Sequence, residues 1–226
     1  MKLKKIASLA LAGIMAVSML AGCGEAASSS EPTNPVNPVT SDVADAVNKL
    51  LSGDQKEVMT FGTSSALLNA VKAVAGDSGV VTPTMIANAY DTNETSFGSQ
   101  DSYQENVTKK VKDKFTTGVI TVGDAGWNAF KDTDPTNQEK SSSCLYVYVV
   151  SGDMSEDTIA RNFLATWGSS IDDTILKSKT ADNNDIAYDG DIAAVKVYNS
   201  KDATKTAWVV GVMLTETVTN GTNTQV

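Results

Sequence analysis

The sequence predicts an α+β fold, with an antiparallel sheet covered by helices and a C-terminal β-hairpin. Three observations lead there. The first half of the chain is dominated by apolar residues three and four apart, the period of a helix with one buried face. Cys144 to Val150 is an uninterrupted apolar run, as in a strand buried on both faces. Ile192 to Tyr198 and Thr206 to Thr215 are β-rich runs on either side of Ser200-Lys201-Asp202-Ala203, a hairpin pattern.

The elements follow in order. Ser41 caps a first helix with Asp42 and Asp45 in its opening turn. Val43, Val47, Leu50 and Leu51 form its inward face, and Ser52-Gly53 ends it. Glu57 to Phe61 reads as a short extended piece. Thr63 or Ser64 caps a second helix carrying Leu67, Leu68, Val71 and Val74 inward, stopped at Gly76. Thr82-Pro83 starts a third helix through Tyr90, with proline in the first helical position. Residues 91–102 are polar and loop-like. Tyr103, Val107, Val111 and Phe115 lie four apart on a fourth helix, whose lysines 109, 110, 112 and 114 form a solvated face. Gly118 to Val122 is a strand, and 131–143 is a polar loop. After Val150, Gly152-Asp153 turns the chain. Ser155 then caps a helix with Ile159, Ala160, Phe163, Leu164 and Trp167 as its apolar stripe, ended by Gly168.

Ahead of all this stands a different kind of segment. Lys2, Lys4 and Lys5 precede an uncharged run from Ile6 to Leu20. At about 1.5 Å per residue that run is ~22 Å long as a helix, short of a ~30 Å hydrocarbon core. It reads as the apolar region of an export signal. It ends in Leu20-Ala21-Gly22-Cys23, which resembles the lipobox of bacterial lipoproteins. The resemblance implies that 1–22 is a signal peptide and that Cys23 becomes the acylated first residue of the mature protein. Two acyl chains anchor stably where one does not. The expected location is the outer face of a bacterial cytoplasmic membrane, with the membrane as a partner through the lipid. Residues 23–40 follow as the lipidated cysteine and a Ser-, Pro- and Asn-rich solvated spacer, with Pro32, Pro35 and Pro38 at every third position. A single globular domain is expected over 41–218, with a polar tail at 219–226.

Charge and composition exclude several functions. Loss of Lys2, Lys4 and Lys5 takes 18 basic groups to 15 against 27 acidic ones, a net of −12 for the mature chain. Such a surface argues against nucleic acid and other polyanions as partners. There is no histidine. Ser-His-Asp and Cys-His mechanisms are therefore ruled out, and zinc loses its usual nitrogen ligand. With Cys23 acylated, Cys144 is the one remaining thiol, placed in an apolar run where it reads as a small buried hydrophobe. No phosphate-cradling glycine motif occurs. Arg161, the one arginine, reads as a surface ion-pair partner.

The stretches MTFGTSSALLNAVKAVAGDSG (59–79), LYVYVVSGDMSEDTIARNFLATW (145–167) and AWVVGVML (207–214) together resemble a bacterial CAP domain, of the superfamily of cysteine-rich secretory proteins, antigen 5 and plant pathogenesis-related proteins. The resemblance covers roughly 41–215 and implies an α-β-α sandwich. The superfamily's cavity holds two histidines and two acidic residues. Here Tyr146-Val147-Tyr148 stands where that superfamily has Gly-Glu-Asn, and its helix tryptophan matches either Phe163 or Trp167. Its cavity chemistry is not carried over.

Two features remain as candidate sites. Asp182, Asp185, Asp189 and Asp191 gather around Asn183, Asn184 and Gly190, an oxygen-rich stretch that suits calcium by composition. Its order does not follow the EF-hand loop, and Asn and Asp favour a solvated turn on their own. Tyr188 with Trp127, Trp167 and Trp208 could stack against a sugar, though the tryptophans fit apolar stripes better. The sequence thus points to a displayed, non-catalytic binding domain with a protein or glycan ligand and no cofactor. The alternative is a hydrolase of cell-wall or carbohydrate material working through carboxylates.

Overall fold

The computed structural model describes residues 36–38, 42–91, 97, 102–116, 118, 120–122, 140–171 and 184–220. The segments read as signal peptide, Cys23 and polar tail lie outside them, apart from Thr219 and Asn220. The described elements are β1 (Val36–Pro38), α1 (Asp42–Leu50), α2 (Gly53–Val58), β2 (Phe61–Gly62), α3 (Ser65–Ala75), α4 (Pro83–Tyr90), α5 (Ser102–Lys112), β3 (Ile120–Val122), β4 (Lys140–Ser151), α6 (Glu156–Ser170), β5 (Asn184–Asn199) and β6 (Asp202–Asn220).

The sheet runs β1-β5-β6-β4-β3, with β2 also paired to β5. It is mixed, which corrects the expectation of a mainly antiparallel sheet. The long ladder β4-β6-β5 and the β1–β5 pair are antiparallel, but β2 joins β5 and β3 joins β4 in parallel. The parallel strands are two and three residues long, too short to signal their direction in sequence.

Strand alternation sends side chains to two separate cores. Cys144, Tyr146, Tyr148, Ile192, Ala194, Trp208, Val210 and Val212 pack with α1 and α6 on one face. Leu145, Val147, Val149, Ala193, Val195, Val197, Val209 and Met213 pack with α3, α4 and α5 on the other. This two-sided burial explains why 144–150 reads as an unbroken apolar run.

The helix starts are locally determined. Ser64, Thr82 and Ser155 each accept the backbone N–H three residues on, from Leu67, Met85 and Thr158. Ser52 does the same for Gln55, and Gln55 Oε1 returns a bond to Ser52 N at 2.9 Å. That capping box makes 53–58 a helix, where the sequence reading has a stop followed by an extended piece. Extension is confined to Phe61–Gly62. There Asn48 serves as a surrogate strand, accepting from Phe61 N at 2.8 Å and donating to Phe61 O at 2.7 Å. Leu50 and Tyr103, expected inward, are exposed at 40% and 69%. Leu164 is only partly buried, and α6 runs past Gly168 to Ser170.

β1 corrects the spacer. Val36, Asn37 and Pro38 lie within the segment read as solvated, yet they pair with Val197, Lys196 and Val195. Proline has no N–H and is tolerated on an edge strand, where one side of the backbone needs no partner. A chain beginning at Ser41 is therefore expected to be less stable than one beginning at Pro32. The loss of a few ladder bonds should cost about 1–2 kcal/mol. Urea midpoints of the two chains check this; coincident midpoints would show that β1 adds nothing.

α5 closes the sheet beyond β3. Thr108 is fully buried, and its hydroxyl accepts from Val147 N at 3.0 Å while donating to Gln104 O at 3.0 Å. A helical side chain thereby takes a ladder position on β4 that β3 is too short to reach.

Candidate functional site

Two carboxylates are held within the fold, one on each face of the sheet. Glu216 on β6 is 1% exposed and sits directly across from Tyr188 on β5. The Tyr188 hydroxyl donates to Glu216 Oε2 at 3.0 Å. A buried carboxylate needs such donors to offset lost hydration. On the β4 side its register partner is Ser142. Farther along this face, Tyr146 and Trp167 meet edge to face at 4.5 Å, and Trp167 Nε1 donates to Tyr148 Oη at 3.2 Å.

Asp191 lies on the opposite face, at the start of α3. Its Oδ1 accepts from Ser64 N at 3.0 Å, while Thr63 Oγ1 donates to Ile192 O at 2.8 Å. Burial pushes the Asp191 carboxyl above the ordinary aspartate value of 3.8, the Ser64 hydrogen bonds pull it back, and nearby Asp189 adds to the rise. A carboxyl raised in the folded state contributes stability that is present when protonated and lost as pH rises through the folded value. Asp191→Asn keeps an acceptor for Ser64 and removes the charge. The variant is expected to gain stability relative to the parent as pH is raised from ~3 to ~7. Urea denaturation across that range tests it, and a relative loss would mean that the ionised hydrogen bonds dominate.

The calcium candidates do not form a loop. Asp185, Asp189 and Asp191 lie on β5, opposite Thr219, Thr215 and Met213 of β6. Pairing with β6 overrides the turn preference of Asp and Asn. Asp189 is exposed, Asp191 is committed to Ser64, and Asp182 and the Asp185 side chain lie outside the described residues. Among the described residues no group of three or more acidic or cysteine side chains is placed to hold a metal. Nor do Tyr188, Trp167 and Trp208 form an exposed platform: all are buried, and Trp208 Nε1 donates to Met154 O at 3.0 Å. Trp127 lies outside the described residues. Cys144 is fully buried, Arg161 is exposed on α6, and lysines 109, 110, 112 and 114 are exposed.

Sequence reasoning missed Glu216. The last strand is read to Thr215, but Thr215, Thr217 and Thr219 continue the β-branched pattern and could have extended it. Chemically, a single buried carboxylate with a phenol can hold a proton or anchor a strand pair. It has no second carboxylate from Asp191, because the two project from opposite faces. No family model, curated protein or solved structure matches this chain.

Proposed function

We propose that this is a lipid-anchored bacterial surface protein whose domain acts by binding a protein or glycan rather than by catalysis. The observation that carries the reading is the order of features at the N-terminus: Lys2, Lys4 and Lys5, the uncharged run from Ile6 to Leu20, then Leu20-Ala21-Gly22-Cys23. The site geometry supports the second half. Asp191 and Glu216 are each bonded within the fold and lie on opposite sides of the sheet, whereas a glycosidase needs two carboxyl groups about 5–9 Å apart in one cleft. The likeness to the cysteine-rich secretory superfamily belongs to the same proposal. It rests on layering alone, with helices on both faces of a sheet that ends in two long strands.

Cys23→Ala is expected to abolish incorporation of labelled palmitate and to release the protein from the membrane fraction. Label retained by the variant would sink the anchoring. The hydrolase alternative is favoured by one observation, the burial of Glu216 beside Tyr188. A screen of the purified domain against peptidoglycan, glycans, esters and peptides decides it. Turnover that disappears in Glu216→Gln would make the protein an enzyme.

A further inference from the structure

We propose that the docking of β1 on β5 sets the orientation of the domain on its membrane, so that the turn at Ser200–Lys201 faces the bilayer and the opposite end of the β4-β6-β5 ladder faces outward to receive the partner. This rests on the anchoring at Cys23 proposed above.

The argument starts from register. β1 is antiparallel to β5, with Val36 opposite Val197 and Pro38 opposite Val195. β5 runs toward the Ser200–Lys201 turn, so the chain from Cys23 arrives from the turn side. Val197 pairs with Ala207, which puts the attachment five residues from the start of β6 and thirteen from its end. At about 3.4 Å per residue, the turn lies ~17 Å from the attachment and Asn220 lies ~44 Å from it in the other direction. Twelve residues, 24–35, separate Cys23 from Val36. Their thirteen steps span at most ~45 Å fully extended, and an unstructured chain of that length averages ~20 Å end to end. The turn end is therefore within ordinary reach of the bilayer. The far end can touch it only with the tether drawn to its limit. Without β1 the same tether would be 17 residues long and would join the fold at α1, with no strand to fix its direction.

The two ends differ in what they offer. Around the turn, charges of both signs are paired at the surface: Lys205 Nζ lies 2.6 Å from Asp91 Oδ2 and 5.9 Å from the Tyr90 ring centroid. Asp202 accepts from Thr204 N at 3.1 Å. Headgroups approaching there meet no single-sign field. At the far end stand the Tyr188–Glu216 pair, Ser142, and the exposed Ser141 and Asp189.

Single cysteines at Ser200 and Ser141, both exposed and at opposite ends of the ladder, report the orientation. Along β6 they are separated by about 50 Å, since Ser141 pairs with Thr217. Cys144 is buried and Cys23 acylated, so a thiol-reactive donor fluorophore marks only the new site. The full chain, processed and lipidated, is reconstituted in phosphatidylcholine–phosphatidylglycerol vesicles carrying an acceptor lipid. The expected result is several-fold greater energy transfer from position 200 than from 141. A second variant, with about twenty Gly-Ser residues inserted after Ser30, should erase most of that contrast. Equal or reversed transfer on protein that carries the palmitate label overturns the orientation, as does a contrast that survives the insertion. Absence of palmitate on the parent chain removes the anchoring reading itself, and with it this one.

Discussion

Phe163→Ala is expected to cost about 3–5 kcal/mol of folding stability. The ring is fully buried on α6, packed edge to face on Phe61 at 5.1 Å and within 6.4 Å of Phe97. Phe61 is itself the first residue of β2, and its ring lies where a Cβ on Gly190 would be, 2.5 Å from that position. One side chain thus joins α6, β2 and β5. Its removal leaves a cavity that neither the sheet nor α1 can fill without moving, and domains of this size have only about 5–15 kcal/mol to lose. Leu164, next in sequence, is only partly buried and should cost clearly less. Urea unfolding of the two alanine variants provides the comparison. A Phe163 effect no larger than that of Leu164 would show that the buried face of α6 has been misassigned.

The second large effect is expected at Gly211, in the middle of β6. A Cβ there would stand 2.6 Å from Val71 Cγ2 and 3.3 Å from Leu67 Cδ1, both on α3. The glycine lets the helix approach the central strand closely, and alanine forces the two apart at about 1–3 kcal/mol. The double variant Gly211→Ala with Val71→Ala relieves the clash. Its cost should fall below the sum of the two single variants, a coupling that residues out of contact do not show. Strict additivity would mean that α3 does not press on Gly211.

These contacts mark what was legible in the sequence. Thr82-Pro83, Ser64 and Ser155 announce their helices because a cap is satisfied within three residues. The buried strand at 144–150 is visible because both faces are apolar. What escaped depends on partners distant in the chain. The polar start of β5, with Asp185 and Asp189, is a strand because β6 pairs with it. Val36–Pro38 is a strand because β5 has an open edge there. Asp191 caps α3 across 127 residues, and Tyr188 meets Glu216 across 28. Composition identified the acidic residues of 182–191 but assigned them to a shared loop. Strand alternation instead gives Asp191 a structural task and places the buried Glu216 on the other face. The capping box at Ser52 and Gln55 was local and legible, and Gly53 masked it by reading as a helix stop.

The order in which the elements leave the ribosome sets how this domain can fold. Its three long strands, β4, β5 and β6, all come from 140–220, after α1 to α5. Those helices are 6 to 11 residues long, too short to persist alone in water. The apolar faces of α3, α4 and α5 have no sheet to cover until β6 is made, and β1 waits for β5 more than 150 residues downstream. The first two thirds of the chain therefore stay expanded until the last strands arrive. A polypeptide bound for export through a narrow channel must remain unfolded until it has crossed, and this arrangement delays folding without any separate device.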